Sequence, residues 1–214
     1  MNTFLYTLGY TSLFSALIPM GMFLKKGGKG FIKMIFLLSF VSLLFDVVSR
    51  VMVYNGYRGL HLSNTYFIVL FFSVSYIFTQ LLFNRKLIYT ATALYAILFF
   101  FFILKFNHFN DFQSELRAIG SIVLLAYCAL YYRQLLITLP AQNVSQYAPF
   151  WINTAVFIYF SFNLFLFIIA NYVFKNFSNE IGMTVWGFHN INNIVKNILF
   201  AVGIYYAGKK QVGF

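Results

Sequence analysis

This chain carries too few charges to cover a water-facing surface. Only 9% of its 214 residues are Asp, Glu, Lys or Arg, while 61% are hydrophobic and 22% are Phe, Trp or Tyr. A soluble domain averages about 25% charged residues. The deficit excludes an ordinary soluble enzyme and a disordered chain, and a single Cys excludes a disulfide scaffold. The length suits one domain, so the expected class is an integral membrane protein folded as a single unit over residues 1–214.

The apolar residues fall into seven runs, at 3–24, 31–54, 65–83, 87–106, 116–137, 149–174 and 183–207. A helix needs about 20 apolar residues to cross the hydrocarbon core. The breaks carry turn residues, among them Lys25-Lys26-Gly27-Gly28-Lys29-Gly30, Asn55-Gly56-Tyr57-Arg58-Gly59 and Asn84-Arg85-Lys86. A membrane barrel would alternate apolar and polar residues in segments of about ten; these runs are continuous. Helices satisfy every backbone group internally, so the expectation is an all-α, polytopic membrane protein with seven transmembrane helices. The first run lacks a preceding basic segment and ends in Lys25-Lys26, so it is expected to be a span and not a cleaved leader. Pro19 is expected to bend its far end.

Assigning the loops to alternate sides sorts the charges. One side receives Lys25, Lys26, Lys29, Lys33, Arg85, Lys86, Arg133, Lys209 and Lys210 and no acid. The other receives Arg58, Lys105, Arg117 and Lys175, offset by Asp111, Glu115 and Glu180. Short basic loops stay in the cytoplasm. The N-terminus is therefore expected outside and the C-terminus in the cytoplasm, with the chain multi-pass in the cell's inner membrane. The net charge of +11 is a topology signal; spread over short loops, it speaks for the lipid bilayer as partner and against nucleic acid.

Three charges fall inside the runs: Asp46, Arg50 and Lys196. Such groups are costly in lipid and face the bundle interior or a wet cavity. Asp46 and Arg50 are four apart and share a helix face. The last run holds the densest polar patch. At roughly 100° per residue, Trp186, Asn192, Asn193 and Lys196 fall within about 60° of His189. Asn153, Ser161 and Asn163 in the sixth run, and Ser73, Ser75, Thr79 and Gln80 in the third, add groups that need partners in lipid. The candidate site is thus a polar cavity in the outer half of the bundle, built on Asp46, Arg50, Asn163, Trp186, His189, Asn192, Asn193 and Lys196. The competing reading makes the same residues interhelical hydrogen-bonding glue.

No catalytic set stands out, so no enzyme activity is expected. His61 and His108 are expected in outer loops, far from His189, and no metal site is expected. Cys128 reads as a small core residue. A Lys in the last of seven runs resembles the microbial rhodopsin arrangement, which would imply retinal as a cofactor bound as an imine on Lys196. Those proteins carry carboxylates in the third helix, where residues 65–83 have none, and an Asp in the last helix, where this chain has His189 and Asn residues.

Two stretches carry a wider resemblance. They are Phe150-Trp151-Ile152-Asn153 through Tyr159-Phe160 to Asn163-Leu164-Phe165-Leu166-Phe167, and Trp186-Gly187-Phe188-His189-Asn190-Ile191-Asn192-Asn193-Ile194-Val195-Lys196-Asn197. They resemble small seven-helix membrane proteins of Bacteroidetes-type bacteria, some of them similar to the membrane sensor halves of histidine kinases. The resemblance implies a sensor or receptor-like protein that binds a small ligand or responds to protons and signals to a separate cytoplasmic partner. A non-catalytic accessory subunit of a larger membrane complex, a small-solute transporter or channel, and a retinal protein are the alternatives.

Overall fold

A computed structural model of the chain describes residues 3–57, 60–106, 113–140 and 143–208. Arg58, His108, Asp111, Lys209 and Lys210 lie outside the described residues, as do the side chains of Lys105, Lys175 and Glu180. The described residues form helices and no strands: α1 (Thr3–Ser15), α2 (Leu17–Lys26), α3 (Phe31–Tyr54), α4 (Leu60–Leu81), α5 (Arg85–Phe106), α6 (Ser114–Thr138), α7 (Ala148–Asn176) and α8 (Asn179–Ala207), with a short 3₁₀ turn at Val144–Gln146. Six segments are long and apolar enough to span a membrane: α1 with α2, and α3 to α7. The fold is that of a multi-pass membrane bundle. Helix α8 has 29 residues, a length of about 43 Å at 1.5 Å per residue, but it carries the polar stripe and is not among the six, so the described residues give six apolar spans where the sequence led us to expect seven.

The first apolar run is broken earlier than its proline suggests. Pro19 has no N–H to give to the carbonyl of Ser15, and its ring crowds that carbonyl. The helix therefore stops at Ser15 and restarts at Leu17, which puts Pro19 in the first turn of α2, where its missing N–H is not needed. Ala16 N–H closes a tight turn on Leu13 O at 3.4 Å. The Ser15 hydroxyl donates to Ser12 O at 2.6 Å.

Helices α1 and α2 together, α3, α4, α6, α7 and α8 form a ring in which each packs on the next, and α8 closes it by packing on α1 and α2. Helix α5 lies outside, against α4 and α6. The core is aromatic and branched: Phe71 and Phe78 of α4, Tyr127 of α6, Tyr159 and Phe160 of α7, and Phe200 and Ile204 of α8 are all buried. The outer surface is equally apolar. Ile97, Phe100, Phe162 and Phe165 are each at least 60% exposed, as expected for helices bathed in hydrocarbon.

Alternating helices bring one end of the bundle together from α2, α3, α5, α6 and the start of α7. Lys25, Lys26, Lys29, Lys33, Arg85, Lys86 and Arg133 are all exposed there, and no acid joins them among the described residues. Gln134 anchors this end: its Oε1 accepts from Phe83 N–H at 2.9 Å and its Nε2 donates to Leu81 O at 2.9 Å. That clamp holds the α4–α5 turn to α6.

Helices α7 and α8 form the tightest pair, joined by a two-residue turn. At Gly203 a side chain would run into Ile152 and approach the Ala148 carbonyl. Gly203→Ala is therefore expected to cost about 1–3 kcal/mol through overpacking, read as a lower melting midpoint in detergent. Gly21→Ala on the exposed side of α2, where nothing lies within 4 Å, should stay within about 1 kcal/mol of the parent.

Candidate functional site

The ring of helices leaves a cavity of about 310 Å³ toward the end opposite the basic one. Val53 near the end of α3, Leu62 near the start of α4, Arg117 near the start of α6 and Trp186 in the first half of α8 all line it. Its polar wall comes from Asp46 and Ser49 of α3, Ser63 and Tyr66 of α4, Arg117 of α6, and His189, Asn190 and Asn193 of α8. Phe45, Phe67, Phe167, Trp186 and Tyr159 supply the aromatic wall.

His189 is held by its neighbours. Asn163 of α7 donates from Nδ2 to Tyr159 O at 2.7 Å. A carbonyl can only accept, so the amide is oriented and its Oδ1 faces His189 Nδ1 at 2.7 Å. That contact requires a proton on Nδ1, and the lone pair of the neutral ring then sits on Nε2. Trp186 stacks on the imidazole at 4.7 Å between ring centroids, and Tyr159 meets it edge-on at 5.9 Å. His189 is thereby fixed in tilt and tautomer.

Arg117 is the residue that sequence reasoning missed. Two residues into its apolar run, it was expected among the outside charges, but the structure buries it to 4% exposure. Its Nη2 donates to Ser63 Oγ and Asn64 Oδ1, both at 2.9 Å. Its guanidinium stands 5.5 Å from the ring centroids of Phe67 and Phe167. A desolvated cation over an aromatic face gains about 2 kcal/mol. A signal was present: Ser114, Arg117, Ser121, Leu124 and Cys128 recur every three or four residues, and that face is buried. His61, Ser63 and Asn64 likewise leave the loop assigned to them. Helix α4 begins at Leu60, and the Arg117 contacts draw this polar first turn inward.

The other candidate charges separate. Lys196 is 3% exposed and does not line the cavity; its Nζ lies 4.6 Å from the Tyr159 ring centroid. Arg50 turns to α1, 4.6 Å over the Tyr10 ring. Lys196 and Arg50 are close enough for their charge to act on Asp46, yet both remain beyond the 4.0 Å limit of an ion pair with its carboxylate, as does Arg117. The polar stripe of α8 splits in the same way. His189 and Asn193 reach the cavity, while Asn193 Nδ2 donates to Ser12 Oγ at 3.0 Å and Asn197 Nδ2 to Ser15 Oγ at 2.7 Å. Asn192 is half-buried and lies outside the cavity wall.

Most polar residues of the third and sixth runs serve elsewhere. Thr79 Oγ1 donates to Tyr76 O at 2.7 Å, and Asn153 sits in the α6–α7 seam, donating to Cys128 O at 3.4 Å. Cys128 is fully buried. Among the described residues no group of three His, Cys, Asp or Glu side chains is placed to hold a metal ion.

Fold and site together define a polytopic helical bundle with a cavity lined by polar and aromatic side chains of its helices. No protein-family model, curated protein or solved structure matches this chain.

Replacing Asn163 by Leu removes the group that orients His189. The loss of its two hydrogen bonds should lower stability by about 0.6–1.7 kcal/mol, the range for polar contacts between membrane helices. In ¹⁵N spectra, the parent should show His189 with Nδ1 protonated, and Asn163→Leu should mix the two tautomers.

Proposed function

We propose that this is a seven-span sensor or receptor-like protein of a cytoplasmic membrane. It binds a small ligand, or responds to protons, in the cavity beside Asp46, Arg117 and His189, and signals to a separate cytoplasmic partner. The observation that carries this reading is the cavity: opposite charges from different helices are placed around one space of about 310 Å³. Structural glue alone brings opposite charges into contact, because a buried charge without a close partner is costly. Here Asp46 is kept apart from Arg117, Lys196 and Arg50. The volume falls at the small end of ligand pockets, which run from about 300 to 1,000 Å³.

Helix α8 offers a route for the signal. It carries Trp186 and His189 on the cavity and ends at Ala207, just before Gly208, where a side chain would run against Lys26 at the basic end. A shift of α8 on ligand binding would move the surface that a cytoplasmic partner meets. The basic end also supports the orientation with the N-terminus outside.

Two experiments test this reading. Purified protein in nanodiscs, screened by thermal unfolding against a library of polar metabolites and across pH, should show at least one stabilising condition. Ser49→Phe, which fills the cavity, should abolish that gain, while Tyr10→Leu outside it should not. A parent that melts alike in every condition overturns the cavity reading. For topology, a fluorescent protein fused after residue 214 should fluoresce in the cytoplasm and an alkaline phosphatase fused there should be inactive; the reverse overturns the orientation.

A further inference from the structure

We propose that a second cavity, between the start of α5 and the last turns of α6, seats one anionic phospholipid, with its phosphate at Arg133 and the first part of one acyl chain in the groove. This site is separate from the polar cavity and does not rest on the sensor reading.

The groove is built into the fold. It measures about 360 Å³ and is lined by the α4–α5 turn, the first turn of α5 and the last turns of α6. Hydrogen bonds frame it. At its inner end the Tyr127 hydroxyl donates to Ile88 O at 3.2 Å and lies 3.1 Å from Thr92 Oγ1, which ties α5 to α6. On one flank Gln134 grips Phe83 N–H and Leu81 O, both at 2.9 Å. Helix α5 lies outside the ring of helices, so the groove is at the periphery of the bundle.

The lining joins two chemistries. Leu82, Phe83, Leu87, Ile88, Leu130 and Ile137 give it an apolar wall, which suits an acyl chain. Arg133 is the charged residue of that wall; it is exposed, and no described residue bonds to its guanidinium. Helix α6 ends at Thr138, about 7.5 Å further along at 1.5 Å per residue. From that depth an Arg stem follows apolar surface while its head reaches the level of the lipid headgroups.

Charge selects the headgroup. Arg85 and Lys86 open α5 beside the groove, both exposed, and no acid joins the three cations at this end among the described residues. A zwitterionic lipid would bring its ammonium group there with no carboxylate to meet it. An anionic lipid brings negative charge alone, and basic pockets between membrane helices favour such headgroups. The planar fork of Arg133 matches a phosphate through two parallel N–H bonds. Asn84 also lines the groove. Its Oδ1 accepts from Leu87 N–H at 3.2 Å, and its amide N–H groups have no described partner, so they remain to donate. The groove is too small for a whole lipid, so most of both chains stay in the bilayer.

The test uses the full chain in mild detergent, read by native mass spectrometry with phosphatidylglycerol and phosphatidylcholine of identical chains. The parent should retain one phosphatidylglycerol in preference to phosphatidylcholine by about fivefold or more. Arg133→Gln should erase that preference. Leu87→Trp, which fills the groove and leaves every charge in place, should lose the retained lipid. Melting midpoints report whether each variant is folded, and Arg133→Gln, at an exposed position, stays informative if Leu87→Trp does not fold. Lys25→Gln combined with Lys29→Gln removes two charges from the same end outside the groove and should leave the preference intact. A preference that falls as far in that control as in Arg133→Gln reports general surface charge and overturns the site. Equal retention of the two lipids by the parent, or unchanged retention in folded Leu87→Trp, also overturns it. Inorganic phosphate added in excess should not displace the lipid; displacement makes a free anion the ligand and overturns the lipid.

Discussion

The bundle is organised around the need to hide one helix from lipid. Helix α8 carries His189, Asn193, Lys196 and Asn197 through its central turns, and each is a liability against hydrocarbon. The other helices resolve this by flanking α8 on two sides. Helix α7 covers Lys196 with the Tyr159 ring and His189 with Asn163. Helix α1 and the break before α2 cover Asn193 and Asn197 with Ser12 and Ser15. What remains polar on the third side opens onto the cavity. On α8 the cavity wall is formed by Trp186, His189, Asn190 and Asn193.

Much of this was written in the sequence in a form that could be read. Continuous apolar runs separated by Gly, Asn and Lys become helices with few changes, because apolar length and breakers act locally. The stripe of α8 was legible for the same reason: helical period alone groups His189 with Asn193 and Lys196. Local rules fail where a polar residue near a helix end has a distant partner. Ser63 and Asn64 read as loop and Arg117 as an outside charge, because their reason for burial is each other, 53 or 54 residues apart. Asn163 was legible as a site residue, but its task of fixing the His189 tautomer depends on α7 and α8 lying side by side. Which helices adjoin could not be read from one chain.

The charges show the same division. The basic residues of one end are exposed and stay at the membrane boundary, where solvation and anionic headgroups favour them. Those drawn inside are each given a specific neighbour: a ring for Lys196 and Arg50, rings with a hydroxyl and an amide for Arg117. Aromatic content of 22% is therefore more than bulk filling. It places rings against Lys196, Arg50 and Arg117 within the bundle, where a cation over an aromatic face is stabilised.

The serine–asparagine ladder between α1 and α8 has a consequence for biogenesis. Its two hydrogen bonds join residues 181 and 182 positions apart, almost the whole length of the chain. Helix α1 emerges during synthesis well before its partner helix α8. Until then Ser12 and Ser15 have no asparagine to meet, so the first helix must wait in the bilayer on hydrophobicity alone. The bundle becomes a closed ring only when α8 inserts. A chain cut short before α8 would leave an open arc of helices, with the cavity wall facing lipid.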